Sequence, residues 1–268
     1  MMAPLLAASP LARVGATHAL SLAGVGRTFA ALVAIEDISF DVAAGERRAI
    51  IGANGASKTT LFNAITGDFP PTSGRVRFFG EDITDLPPHQ RIRRGLRRTY
   101  QSAQLFGGLT VLDNLLLAVI GVTRRRFSVV RPGARDHASA SARELAAHVH
   151  LDAVIDAPVA TLSHGQQRQL EVGMALAGAP RFILFDEPAA GLSPPERRDL
   201  IQLLRMLPEY VGFIIIEHDL DVALQVVGAV TVMHNGRVIK HGTPDVIRDD
   251  PEVQAIYLGT RHGATRHG

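Results

Sequence analysis

Three short stretches carry side chains whose types and spacing could do chemistry. Gly52-Ala53-Asn54-Gly55-Ala56-Ser57-Lys58-Thr59-Thr60 follows the apolar run RRAII and precedes a segment with helical spacing. That is the setting of a loop whose inward-pointing N–H groups cradle phosphate, backed by the positive end of the next helix. Lys58 would reach the β- and γ-phosphates of a nucleoside triphosphate, and the Thr59 hydroxyl would ligate Mg²⁺. RFILFDEP ends a second apolar run on two adjacent carboxylates. Asp186 can hold Mg²⁺ directly or through water, and Glu187 can deprotonate an attacking water, a role worth about 10²–10⁴-fold in rate. In the third stretch, Thr161 to Leu170, Ser163 and Gln166 have capping-box spacing at the start of a long helix. The Ser163 hydroxyl would then sit at the positive helix end.

The phosphate loop departs from its pattern at one position. G-x-x-x-x-G-K-[ST] has glycine where this chain has Ser57. Serine keeps the backbone N–H but adds a Cβ where the chain approaches phosphate. If the position needs a positive φ, the cost is roughly 1–2 kcal/mol. Taken singly, the three stretches also fit a glycine-rich turn, a loop start and an ordinary capped helix. Their order along the chain is what sets them apart.

The elements that must hold these residues can be outlined from patterning. Strand-like runs occur at 35–42 (IEDISFDV), 47–51 (RRAII) and 74–79 (GRVRFF), with a helix over KTTLFNAITG, Gly67 being its stop. Residues 86 to about 160 read as arginine-rich and helical, broken at Pro132-Gly133. RFILFD (181–186) and GFIII (212–216) are continuous apolar runs suited to a parallel sheet covered on both faces. Asn235-Gly236 between alternating runs predicts a hairpin. The pattern is an α/β core interrupted by a helical lobe. Residues 1–18 and 260–268 read as loose extensions, the latter from its repeated TRHG.

Composition narrows the class. The chain has 268 residues, 46% of them hydrophobic, enough for one large domain or a core with a lobe. It contains no cysteine, which excludes disulfides and thiolate metal sites. No apolar run reaches the ~18–20 residues of a membrane span, and MMAPLLAASPLAR lacks the basic start of a secretory signal. The formal net charge of +2 is too small to argue for nucleic acid. The basic charge is local, at Arg91, Arg93, Arg94, Arg97, Arg98 and again at Arg124–Arg126, and reads as a solvated face of the helical lobe.

With the phosphate loop and the carboxylate pair, LSHGQ at 162–166 resembles the LSGGQ signature of the ATP-binding-cassette (ABC) family, His164 replacing a glycine. The resemblance spans about residues 19–259. It implies a P-loop NTPase (RecA-like) α/β core with an antiparallel β-subdomain and an inserted α-helical subdomain at about 100–165. It implies ATP and Mg²⁺ as ligands, held by Gly52, Asn54, Gly55, Ala56, Ser57, Lys58, Thr59 and Thr60. Gln101 is similar to the family's Q-loop glutamine, which senses Mg²⁺ and the γ-phosphate, and His218 to its switch histidine. Phe29 sits where the family stacks an aromatic ring on adenine. Ala190-Gly191-Leu192-Ser193 matches the D-loop loosely, Ser193 replacing its aspartate. The resemblance further implies a head-to-tail pair of cassettes, in which Ser163, Gly165 and Gln166 close on the partner's nucleotide.

Within that family LFNAITGDFPPTSG, RRGLRRTYQSAQLFGGLTVLDNLLLA, DEPAAGLSPPE and GRVIKHGTPDVIRDDPEVQAIYLG resemble the ATP-binding subunits of branched-chain amino-acid uptake systems. Two transmembrane permeases and an external substrate-binding protein are the implied partners, with residues 102–109 contacting a permease and no role for nucleic acid. The implied location is peripheral, on the cytoplasmic face of the inner membrane. Amide or urea importers, a lipopolysaccharide-export ATPase, and a catalytically weak nucleotide sensor (from Ser57) are the other readings.

Overall fold

The computed structural model describes residues 18–53, 55–101, 105–122 and 136–256. In chain order, β1 (His18–Phe29), β2 (Leu32–Ala43) and β3 (Arg47–Ile51) precede α1 (Lys58–Thr66). Then come β4 (Ser73–Phe78), β5 (Glu81–Asp82), α2 (Pro88–Arg93) and β6 (Leu96–Thr99). Three longer helices follow, α3 (Val111–Gly121), α4 (His137–His148) and α5 (His164–Ala175). The chain returns through β7 (Phe182–Asp186), α6 (Pro194–Arg205), β8 (Gly212–Ile216), α7 (Leu220–Val226), β9 (Ala229–His234), β10 (Arg237–Gly242) and α8 (Pro244–Arg248). No helix among the described residues is long and apolar enough to cross a membrane.

The strands form two sheets. One is antiparallel, in the order β2-β1-β4-β5; the other runs β10-β9-β3-β8-β7-β6 and is parallel except for the β9–β10 hairpin. The continuous apolar runs are explained by burial on both faces. Ile50, Leu184, Ile214 and Ile216 face α1 and the antiparallel sheet, packing with Phe62 and Val76. Their alternates Ala49, Ile51, Ile183, Phe185 and Ile215 face the helical layer of α3, α5 and α6. The α/β architecture expected from sequence is therefore observed, with an antiparallel sheet and an inserted run of helices. Asn235 and Gly236 both have positive φ (47° and 74°), the backbone of the tight hairpin their dipeptide predicts.

Two elements differ from expectation. β6 lies within the stretch read as helical: Leu96 and Thr99 are buried at its ends while Arg97 and Arg98 supply the charge that hid it. The arginines at 91–98 are not a solvated face of the helical lobe either. They lie on α2, at its C-terminal cap (Arg94) and on β6; Arg93 is exposed, but Arg97 and Arg98 are half-buried and Arg91 is 1% exposed. Its guanidinium donates to Ala64 O and Ile65 O (2.8 and 2.7 Å), and to Leu86 O and Thr84 O (2.7 and 2.8 Å). Carbonyls of the last turn of a helix lack intrahelical donors, and a cation there also meets the negative helix end. A charge pattern reveals the cations but not the carbonyls waiting for them. Of the extension read at 1–18, His18 opens β1 and the rest lies outside the described residues, as do Arg124–Arg126, the Pro132-Gly133 break and the tail at 260–268.

Replacing Arg91 by Met leaves four carbonyl acceptors without their donor, so stability is expected to fall by about 3–5 kcal/mol. The midpoint of urea unfolding measures this, and a loss under about 1 kcal/mol would contradict the structural role.

Candidate functional site

Register brings the chemistry to one edge of the parallel sheet. Ile50 of β3 and Asp186 of β7 both pair with Ile216 of β8, and Thr99 of β6 pairs with Phe185. The residues just beyond these points leave the same edge of the sheet: Gly52 onward from β3, Gln101 from β6, Glu187 from β7, and Glu217 and His218 from β8. Ligands of open α/β sheets bind at this carboxyl end of the strands.

The loop after β3 is shaped by close backbone approach. A Cβ on Gly52 would stand 2.2 Å from Met233 O, so no other residue fits there. Ser57 has φ 62° and ψ 27° and makes no side-chain cap to α1. A positive φ is thus present at this position, on a residue with a Cβ. Lys58 is buried and donates from Nζ to Gly52 O and Ala53 O (2.7 and 3.1 Å). Burial pushes its ammonium below its ordinary pKa, while the Glu187 and Asp186 carboxylates pull it back up. Thr59 is exposed and Thr60 half-buried; Asn54 lies outside the described residues.

The carboxylates are held by separate donors. Asp186, 2% exposed, accepts from Arg98 Nη2 at 2.7 Å through Oδ2, while Oδ1 meets no hydrogen-bond partner among the described residues. Burial pushes its pKa up, and the Arg98 hydrogen bond and charge oppose this. Arg98 also reaches Asn63 Oδ1 and Asp68 Oδ2 (2.6 and 3.0 Å), which fixes it to α1 and the turn after it. Glu187, at φ 49°, accepts from Gln101 Nε2 (3.0 Å) and lies 2.5 Å from His218 Nε2. Gln101 and His218, far apart in sequence, thus meet on the same carboxylate.

An orphaned buried carboxylate oxygen is the donor that Mg²⁺ takes. No cluster of three or more His, Asp or Glu side chains forms a metal cage among the described residues. Mg²⁺ bound with nucleotide phosphates needs only one or two protein ligands, so the residues fit it. Phe29, at the end of β1, is partly exposed; Phe69 packs edge-on against it at 5.7 Å, and the Arg27 guanidinium lies 4.6 Å from its ring centre. That arrangement keeps an aromatic surface near solvent, suited to stacking.

The helix start at Ser163 forms its capping box. Ser163 Oγ accepts from Gln166 N at 3.2 Å, and Gln166 Oε1 accepts from Ser163 N at 3.0 Å. The next donor, Gly165 N, goes to Glu196 Oε1 of α6 at 2.9 Å. His164 Nε2, where the family pattern has glycine, faces Ala190 O at 3.2 Å. Hydrogen bonds from Ser193 and from Gly165 N–H pull the Glu196 pKa down to about 2. The signature turn and the segment after Glu187 are therefore tied together within one chain.

Sequence reasoning missed Arg98, Glu196 and Glu217. Glu217 stands next to His218 and offered a signal: a carboxylate ending an apolar strand, as at Asp186. It is 3% exposed and accepts from Ala189 N (2.7 Å) and His218 N (3.3 Å). Burial pushes its pKa up to about 7; the two N–H groups oppose this, and the charges of Glu187 and Asp219 add to it. Below its unfolded pKa the residue is protonated in both states and costs folding nothing. From pH 4.5 to about 7 the unfolded chain gives up the proton while the folded chain keeps it, so on the order of 3 kcal/mol of stability is lost across that window and no more above it. Glu217→Gln cannot titrate. Its stability relative to wild type is expected to rise between about pH 5 and pH 7 and then level off in urea titrations, whereas a constant difference across that range would show that Glu217 does not titrate there.

Comparison with known proteins identifies the family. A family model described as ABC transporter matches residues 35–190, and one described as branched-chain amino acid ATP-binding cassette transporter matches 237–263. The high-affinity branched-chain amino acid transport ATP-binding protein BraF of Pseudomonas aeruginosa is 36% identical over 248 residues, covering 90% of this chain and 97% of that one. The corresponding LivG of Escherichia coli is 32% identical over 252 residues, with the same coverage. Among solved structures, the ADP conformation of MJ1267, an ATP-binding cassette of an ABC transporter, superposes with a TM-score of 0.82 at 32% identity, covering 90% of this chain and 99% of that one. Family models, relatives and fold agree, and the chain belongs to the ABC transporter family as an ATP-binding, ATP-hydrolysing cassette of the branched-chain amino-acid transport group.

Proposed function

We propose that this cassette powers uptake of branched-chain amino acids. It would work at the cytoplasmic face of the inner membrane, bound to two permeases that receive cargo from an external binding protein. The observation that carries the hydrolysis reading is the Gln101–Glu187–His218 arrangement beside Lys58 and Asp186. Support for the cargo comes from the C-terminal family match and from relatives similar over nearly their whole length. A cleft of about 340 Å³ lined by Ile92, Tyr100, Leu105, Ala118, Val122 and Met174 supports a permease contact beside the 102–109 segment. Residues 102–104 of that segment lie outside the described residues.

The N–H groups of Gly55, Ala56 and Ser57 would cradle the phosphates in the loop that Gly52 shapes, with Asn54 as a further nucleotide contact. Lys58 would turn from the loop carbonyls to the β- and γ-oxygens, Thr60 would reach the phosphate behind, and Phe29 would stack on adenine. Thr59 and Asp186 Oδ1 would hold Mg²⁺, which would neutralise the charge that develops on the phosphates. A glutamine amide has an acceptor end and a donor end. Gln101 Oε1 can therefore face the metal while Nε2 keeps Glu187 in place. Glu187 takes the proton of the attacking water, and His218 orients Glu187 and then contacts the γ-phosphate. Ser163, Gly165 and Gln166 would close on the nucleotide of a second cassette, identical or homologous, arranged head to tail.

Cells lacking this chain are expected to lose uptake of labelled leucine and to regain it with the wild-type chain but not with Glu187→Gln. The purified Glu187→Gln protein should bind MgATP while hydrolysing it at least about 100-fold more slowly. Normal leucine uptake without the chain would remove the cargo assignment, and retained turnover would remove Glu187 as base.

Ser57 motivates the alternative of a weak nucleotide sensor. Its left-handed backbone is already present, so Ser57→Gly is expected to stabilise the fold by about 1 kcal/mol and to raise MgATP affinity or turnover by up to about fivefold. A glycine variant that is no more stable and binds and hydrolyses no better would dismiss strain as a brake.

A further inference from the structure

Arg168 is a buried arginine that the hydrolysis scheme does not use. It lies on α5, five residues beyond Ser163 and so about 140° around the helix from it, facing inward with 5% exposure. Its Nη1 donates to Glu171 Oε2 at 2.7 Å, an anchor on its own helix, and approaches Tyr100 O at 3.5 Å. Its Nη2 crosses to the chain leaving β6 and donates to Gln101 O at 3.1 Å. Gln101 is the residue whose side-chain amide donates to Glu187. The other side of the same junction is fixed by Arg98, whose guanidinium lies 4.7 Å from the Tyr100 ring centre and which pairs with Asp186.

A carbonyl at the end of an edge strand has no ladder partner, and a charged donor on it is a strong restraint on where that residue sits. The Gln101 amide can reach Glu187 only from a backbone held in one place. Arginine suits this task because its planar fork serves Glu171 and the strand end together, which a lysine ammonium on a flexible stem does not reproduce.

We propose that Arg168 is a positioning residue for ATP hydrolysis: it fixes the Gln101 backbone so that the amide holds Glu187. The same bond ties the helix that begins at Ser163 to the chain's own base. This rests on the reading of Glu187 as base with Gln101 as its partner. Its guanidinium reaches Glu171 and the Gln101 carbonyl, and its effect runs through Gln101.

The test is a double-mutant cycle on the purified full chain, with kcat, KM for MgATP and thermal unfolding measured for Arg168→Lys, Gln101→Ala and the pair. Arg168→Lys is expected to lower kcat about tenfold with KM within about twofold, because binding groups are untouched. In the Gln101→Ala background the same substitution is expected to change kcat by less than about twofold, since the group it positions is gone. Additive losses, or an unchanged kcat in Arg168→Lys, overturn the proposal while leaving Glu187 as base. Should Gln101→Ala alone leave kcat unchanged, the role given to Gln101 falls and the proposal with it. If Arg168→Lys does not fold, Glu171→Gln loosens the same arginine from its anchor. A smaller loss, again absorbed by Gln101→Ala, is then the expected result, and additivity overturns the proposal.

Discussion

Two adjacent carboxylates at the end of β7 are almost excluded from solvent, and nearly every other feature of the site serves to keep them there. An ionised carboxylate in a protein interior costs several kcal/mol unless donors replace the water it has lost. Asp186 is supplied by Arg98, Glu187 by Gln101 and His218. Those donors come from β6 and from the end of β8, the two strands flanking β7 in the sheet. Neighbouring strands of a parallel sheet end at one edge, so the strand order β3-β8-β7-β6 decides which side chains can reach the pair. Because the two partners of Glu187 arrive from opposite sides, its carboxylate is fixed in direction as well as in charge.

Arginines act here as interior fasteners. Arg91 closes the end of α1 through backbone carbonyls, Arg98 joins α1 to β7, and Arg168 joins α5 to the end of β6. Each spans elements distant in sequence. Guanidinium is suited to this because it presents five donors in a fixed plane and holds its charge even when buried. Burial nonetheless pushes the Arg91 pKa down to about 10, which measures the cost of placing a cation beside carbonyls rather than water.

The signature turn follows the same economy of donors and acceptors. Its N–H groups are shared between its own capping box and Glu196, while His164 faces Ala190 O. Ala189, next along the chain, donates to Glu217. Hydrogen bonds thus run from the start of α5, through the segment after Glu187, to the end of β8. This chain keeps those bonds with Ser193 where the family pattern has aspartate and His164 where it has glycine.

The sequence alone determined the phosphate loop, the carboxylate-ended strand, the capped helix at Ser163 and the hairpin at Asn235-Gly236. Each is a local pattern in which residue type and spacing state the backbone requirement. It also determined the α/β class, because buried parallel strands leave continuous apolar runs. Only the tertiary structure decided that β6 is a strand, that Arg91, Arg98 and Arg168 are interior, and that Gln101, Glu187 and His218 share one hydrogen-bonded group. Those facts depend on strand order and on backbone carbonyls far along the chain. A linear pattern records which charges exist; the fold decides which partners surround them and so whether they face water or one another.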